Sequence, residues 1–336
     1  EMTNNLRDIT IIGGGPTGLF GAFYAGMRGL STRIVDSLPD LGGQLTALYP
    51  EKDIYDVGGI PKILAKDLAS DMIAQGLQFG AEVFLDQQIT DLIPDGDNFI
   101  LRGPGAEFGT RSVLISGGKG AFEPRHLKCP GYSKFLGNGV HYTLRDPKEL
   151  QNKKVLIVGG GDSALDWMLA LKDIARQITL IHRREDFRAH EDSVRKLQEA
   201  VVSGVVDLKT FHEVREIHGV DELESVTIFD NKSDKDSTLE VDIILCLLGF
   251  KPDLGPIKSW GLDLDKNRIL VNSLMATSKL GVYAAGDLVS YPGKLDLIAT
   301  GFSEAAIAVN NVVCHLDPEA RVNPGHSTNL KIFKDK

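Results

Sequence analysis

Cysteine is scarce in this chain: three in 336 residues, at positions 129, 246 and 314, with no C-x-x-C. That spacing excludes a local zinc ribbon and a local dithiol redox motif. Cys246 sits inside the apolar run 243–248 and reads as a small core residue. So little thiol suits a reducing, cytoplasmic setting. Basic excess is missing as well. A net charge of −9 argues against a general nucleic-acid binder, although a local basic patch can still meet an acidic protein. No apolar run is long enough to span a bilayer, and the opening Glu1-Met2-Thr3-Asn4-Asn5 does not read as a signal peptide. No metal site is expected. What is present is ordinary for a globular protein, 42% hydrophobic and 25% charged, with enough length for two cores.

Glycine is abundant, and its placement is informative. The β-branched run Ile9-Thr10-Ile11-Ile12 leads at once into Gly13-Gly14-Gly15-Pro16-Thr17-Gly18. A helix is expected over 19–27 and a second strand over 31–36, ending in Asp36. In this strand–turn–helix–strand pattern Gly13 permits the tight turn. Gly15 lets the backbone approach a pyrophosphate, and Gly18 lets helix and sheet pack closely. The pyrophosphate sits on free N–H groups at the positive end of the helix. Asp36, 21 residues after Gly15, stands where a carboxylate accepts hydrogen bonds from ribose hydroxyls. Gly13, Gly15, Thr17, Gly18 and Asp36 are therefore candidate contacts of an adenine dinucleotide with free ribose hydroxyls.

The unit recurs 146 residues later, as Val155-Leu156-Ile157-Val158 followed by Gly159-Gly160-Gly161-Asp162-Ser163-Ala164, a helix over 164–174 and a strand over 178–181. The counterpart of Asp36 is His182, followed by Arg183, Arg184 and Arg188. An acid there repels a 2′-phosphate, whereas guanidiniums bind one bidentately. Gly159, Gly161, Asp162, Ser163, Ala164, His182, Arg183, Arg184 and Arg188 are thus candidate NADPH contacts, and the first unit suits FAD or NAD. Two unlike nucleotide sites on one chain point to a flavin enzyme that exchanges hydride with NADPH. A dinucleotide-sensing regulatory protein is the non-enzymatic alternative. Hydride transfer needs no protein acid or base, so no catalytic residue is assigned.

Between the units, 39–59 is expected as loop, 61–75 as helix, and 81–85, 89–93, 99–101 and 112–116 as strands, with a hairpin at Asp95-Gly96-Asp97-Asn98. Asn231-Lys232-Ser233-Asp234-Lys235-Asp236 reads as a second hairpin tip. The fold expected is α/β, with two Rossmann-like domains. An FAD domain over 1–119 and 250–336 is split by an NADPH domain inserted at 120–249.

Over nearly its whole length the chain resembles the thioredoxin-reductase-like flavoproteins. The resemblance rests on both glycine turns, Gly42-Gly43-Gln44-Leu45, His182-Arg183-Arg184 and Tyr283-Ala284-Ala285-Gly286-Asp287. Where that family carries its dithiol this chain has Val140-His141-Tyr142-Thr143-Leu144-Arg145-Asp146. It is similar instead to the subgroup of ferredoxin–NADP⁺ reductases, which lack the dithiol and carry a C-terminal extension. Ala47-Leu48-Tyr49-Pro50 and Asn323-Pro324-Gly325-His326-Ser327-Thr328 match that subgroup. The resemblance implies Asp36, Gln44, Tyr49, Ile89, Phe122, Asp287 and Thr328 as FAD contacts. It also implies Tyr49 and His326 stacked on opposite faces of the flavin, a homodimer, and ferredoxin as the one-electron partner. Flavodoxin, a quinone or another small acceptor stays open as the alternative.

Overall fold

In a computed structural model the chain divides into two units, 1–122 with 252–336 and 123–251. The structure describes residues 2–48, 50, 52–117, 123–142, 144, 146–251 and 253–333, with the backbone alone at 2–5, 123, 124, 250 and 251. Tyr49 and Phe122 lie outside the described residues. In the first unit the elements that carry the site are β1 (Ile9–Ile12), α1 (Pro16–Met27), β2 (Thr32–Val35), α2 (Ala65–Leu77), β3 (Glu82–Phe84) and β4 (Val113–Ile115). The second holds β5 (Val140–His141), β6 (Lys154–Val158), α3 (Asp162–Leu171), β7 (Gln177–His182), α4 (Glu191–Val202), β8 (Val206–Thr210), β9 (His212–His218), β10 (Ser225–Asp230), β11 (Asp236–Glu240) and β12 (Ile243–Cys246). The chain then returns to the first unit for β13 (Val282–Ala284) and α5 (Ile298–Leu316).

Each unit is built on a five-stranded parallel sheet, in the order β13-β4-β1-β2-β3 in the first and β5-β12-β6-β7-β8 in the second. Parallel strands are covered on both faces, so they read as continuous apolar runs. Ile9, Thr10 and Ile11 are fully buried, as are Val113, Leu114 and Ile115. α1 buries a stripe of small residues, Gly18, Gly21, Ala22 and Ala25, and so lies close to the sheet. α2 crosses α1 at Gly76, where a Cβ would come within 2.7 Å of the Leu19 carbonyl oxygen.

Three elements differ from the sequence expectation. The helix expected over 61–75 starts at Ala65, because Ile63–Leu64 pairs with Asp53–Ile54 as a short antiparallel ribbon. The strand expected over 89–93 is Asp91–Asp95, paired with Asn98–Gly103 in a separate four-stranded sheet, while Ile89 is buried ahead of it. The stretch 39–59 contains a one-turn helix, Gln44–Ala47. In the second unit the polar region 213–240 folds as the antiparallel sheet β9-β10-β11. Among the described residues no helix is long and apolar enough to cross a membrane.

One charge is buried where β2 and β3 meet. Arg33 is fully buried, with its guanidinium 5.2 Å from the Phe108 ring centre and 3.3 Å from Glu82. Glu82 also accepts from Arg7 at 3.0 Å. The hydrogen bond from Arg7, reinforced by the charges of Arg7 and Arg33, holds the Glu82 carboxyl below the usual carboxylate range against its partial burial. A carboxylate whose folded pKa is depressed stabilises the fold above its ordinary pKa, and that stability is lost as pH falls through the folded value. Glu82→Gln should therefore cost about 3 kcal/mol at neutral pH, near the lower bound for breaking a buried ion pair, because Glu82 itself is half-exposed. It should also flatten the acid limb of the stability curve. Urea melts across pH 3 to 7 test this; parallel wild-type and variant curves would assign the acid limb to other carboxylates.

Candidate functional site

The turn after β1 is shaped by what a side chain would strike. Gly13 has φ +109°, and a Cβ there would lie 2.7 Å from the Gly117 backbone. A Cβ on Gly18 would lie 1.8 Å from the Gly13 carbonyl oxygen. Gly15 is different. Its φ is −78°, and the nearest atom to an added Cβ is Gly43 Cα at 3.7 Å, so packing alone would accept alanine there. Gly15 caps α1 with no side-chain acceptor, and Pro16 follows it. The first-turn N–H groups therefore face outward at the positive end of the helix.

Neighbouring segments close on this turn. The Ser116 hydroxyl donates to the Ile12 and Gly13 carbonyls at 3.2 and 3.1 Å. Gly42 N–H donates to the Gly14 carbonyl at 2.9 Å, and Gly43 at φ +56° brings Gln44 alongside. Thr17 wedges between two glycines from the far end of the chain: added Cβ atoms on Gly286 and Gly301 would lie 3.2 and 2.3 Å from its hydroxyl. That contact carries Asp287 to the first glycine turn. Asp36 accepts from Gly14 N–H at 2.6 Å and Leu38 N–H at 2.9 Å. Burial pushes its pKa up, opposed by hydrogen bonds from the Leu38, Gly14 and Ser37 amides.

A cleft lies over this assembly. It is lined by Gly13, Gly15, Thr17, Asp36, Gln44, Ile89 and Asp287, all named from the sequence. It is also lined by Ser37, Gln87, Trp260, Asp296 and Leu297, which sequence reasoning missed. Trp260 is fixed by its indole N–H, which donates to the Thr90 carbonyl at 2.9 Å. Gln87 Oε1 is buried at the cleft without a hydrogen-bond partner among the described residues. Gly18 is buried beneath the turn, where it sets the packing. An outward helix start, an open Cβ position at Gly15, a ribose-length carboxylate and an orphaned acceptor fit FAD.

His326 and Thr328 are exposed and do not line the cleft of their own chain. The tail runs along the far end of α1. Arg28 donates to the Arg321 and Val322 carbonyls at 2.6 and 3.0 Å, and Phe333 packs against Phe23 and Phe79.

The second unit repeats the turn with altered chemistry. Gly159 has φ +148°, and its Cβ would lie 2.3 Å from the Leu247 carbonyl oxygen. Gly161 caps α3 with no side-chain acceptor and again leaves its Cβ position open, the nearest atom being Arg188 O at 3.8 Å. Ala164 is buried where the first unit has Gly18, Ser163 is exposed, and Asp162 accepts from His190 N–H at 3.0 Å. His182 fills the space under Gly160, whose Cβ would lie 2.4 Å from the imidazole. Burial lowers the His182 pKa, and the nearby arginines add to that. Arg183, Arg184 and Arg188 are exposed, and no acid among the described residues pairs with them.

Two of the three thiols, Cys129 and Cys246, are shifted away from the reactive thiolate. Burial pushes Cys246 up to about 12, and burial together with Glu216 raises Cys129. Both stay protonated at neutral pH, and a thiol reacts as its thiolate. Cys314 donates to the Ala320 carbonyl at 3.3 Å.

The model of the pyridine nucleotide-disulphide oxidoreductase family matches residues 7–310. The chain belongs to this family. FAD and NADPH are the cofactors that membership brings, and the chain is an oxidoreductase. It is similar to the ferredoxin–NADP reductase of Thermus thermophilus, 50% identical over 97% of this chain and 98% of that one. It is equally similar to ferredoxin–NADP reductase 2 of Chloroherpeton thalassium, 50% identical over 98% of this chain and 97% of that one. Its fold matches the thioredoxin reductase of T. acidophilum with a TM-score of 0.77 at 24% identity, over 94% of this chain and 99% of that one.

The two glycines of the first turn separate folding from binding. Gly18→Ala should destabilise the first unit by several kcal/mol or prevent its folding, since the Gly13 carbonyl cannot yield. Gly15→Ala should fold with a melting temperature close to that of the wild-type apoprotein but purify without FAD. The ratio of flavin to protein absorbance, with a thermal melt of each apoprotein, checks both. Full FAD content in Gly15→Ala would mean the position is not a cofactor approach.

Proposed function

We propose that the protein is a ferredoxin–NADP⁺ reductase, cytoplasmic and homodimeric, moving electrons between NADPH and an iron–sulfur carrier. One observation carries the reading: two glycine turns of the same design end differently, in a buried aspartate in the first unit and in three exposed arginines in the second. The similarity to curated ferredoxin–NADP reductases over nearly the full chain supports it.

FAD, when bound, supplies the exchange between a two-electron hydride and single electrons. The chain's residues do the rest. The first-turn N–H groups of α1 hold the pyrophosphate, and Asp36 accepts from the adenosine ribose. Asp287, brought in against Thr17, holds the ribityl chain. The first turn of α3 holds the NADPH pyrophosphate, and Arg183, Arg184 and Arg188 bind the 2′-phosphate. No side chain needs to move a proton for hydride transfer. The anchoring of the tail along α1, away from its own cleft, supports a place for His326 and Thr328 at a partner's flavin.

Ferredoxin should stimulate NADPH-driven cytochrome c reduction many-fold, and thioredoxin should be left unreduced. The Cys129→Ser, Cys314→Ser double variant should keep full ferredoxin-coupled activity. A collapse of that activity with FAD still bound would show that a thiol carries the electrons. Equal rates with and without ferredoxin would point to a quinone or another small acceptor.

A further inference from the structure

The loop that carries the three arginines is held from two directions. On one side, Arg188 N–H donates to the Gly160 carbonyl at 2.7 Å, and the His182 ring bonds the Asp186 carbonyl at 2.9 Å. The first bond ties the loop to the glycine turn, and the second ties it to the end of β7. On the other side stands the hairpin tip between β10 and β11, where Asn231 Nδ2 donates to the Arg183 carbonyl at 3.0 Å and to Glu213 Oε2 at 3.0 Å.

The Asn231 amide has one chemically sensible orientation. Both partners are acceptors, so the NH₂ end must face them. The residue is set rigidly. Asn231 N–H donates to the Phe211 carbonyl at 2.7 Å, and Phe211 itself sits at φ +59°. Asp230 accepts from the Lys232 and Ser233 amides, and Asp234 N–H donates back to the Asp230 carbonyl. Arg215 reaches across from β9 to Asp234 and Asp236. The adjacent cation, Lys232, is drawn over the Phe211 ring at 3.3 Å. The tip therefore meets the arginine loop through a neutral donor fixed on a stiff sheet.

We infer that Asn231 is a positioning residue for NADPH selectivity, fixing the Arg183 main chain from which the 2′-phosphate is read. The inference rests on the reading of Arg183, Arg184 and Arg188 as the phosphate site. A bidentate contact costs less to form when the main chain that carries the arginine is already fixed, because that backbone freedom need not be lost on binding.

The test uses the FAD-loaded full chain. For Asn231→Ala, affinity for adenosine 2′,5′-bisphosphate, measured by calorimetry, should fall about three- to tenfold, the worth of one neutral hydrogen bond. KM for NADPH should rise by the same factor with kcat unchanged, and affinity for adenosine 5′-monophosphate should stay level. Asn231→Asp keeps the size and main-chain bonds but sets a carboxylate against Glu213 and the Arg183 carbonyl, so its loss should be at least as large. It also serves if the alanine variant folds poorly. Arg183→Ala with Arg184→Ala is the reference. A loss there with none at Asn231→Ala or Asn231→Asp overturns the positioning role and leaves the phosphate site standing. No loss in the arginine variant overturns both.

Discussion

The first unit depends on how closely the first turn of α1 comes to the end of β1. Gly18 lies against the Gly13 carbonyl at a distance that leaves no room for even one methyl group. That approach aims an uncapped helix start at the carboxyl edge of a parallel sheet, the usual place for a ligand crevice in such folds. Ser116 fastens the turn to β4, and Thr17 receives Gly286 and Gly301. The return of the chain after the inserted unit is thus a requirement of the site, because Asp287 arrives only with that contact.

The second unit uses the same backbone device with another electrostatic ending. In the first, a buried carboxylate is bonded by the Gly14 amide and a neighbouring amide. In the second, an imidazole kept neutral by burial fills the equivalent space and leaves the charge to three exposed guanidiniums. The sequence has no C-x-x-C, and Cys129 and Cys246, both in the second unit, are held protonated. The flavin is then the only redox centre the account requires.

The glycine turns were legible in the sequence because steric demand leaves few residue choices at Gly13, Gly18 and Gly159. Asp36 and Arg183 were legible because their distance from the turn is fixed by one helix and one strand. Trp260 and Gln87 were not, since neither lies in a motif; loops distant in sequence carry them to the cleft. Asn231 read only as a hairpin tip, because its role comes from a carbonyl 48 residues away. The helix expected over 61–75 began late because the pairing of Ile63–Leu64 with Asp53–Ile54 overrides local periodicity. The tail matched its motif, but its seat on α1 depends on Arg28, Phe23 and Phe79, which no motif names.

The most direct measurement is the number of electrons the enzyme accepts. In an anaerobic titration with dithionite, the flavin absorbance should bleach completely at two electrons per chain, with no further uptake. Uptake of four electrons per chain would reveal a second redox centre, and so contradict an electron path that runs through the flavin alone.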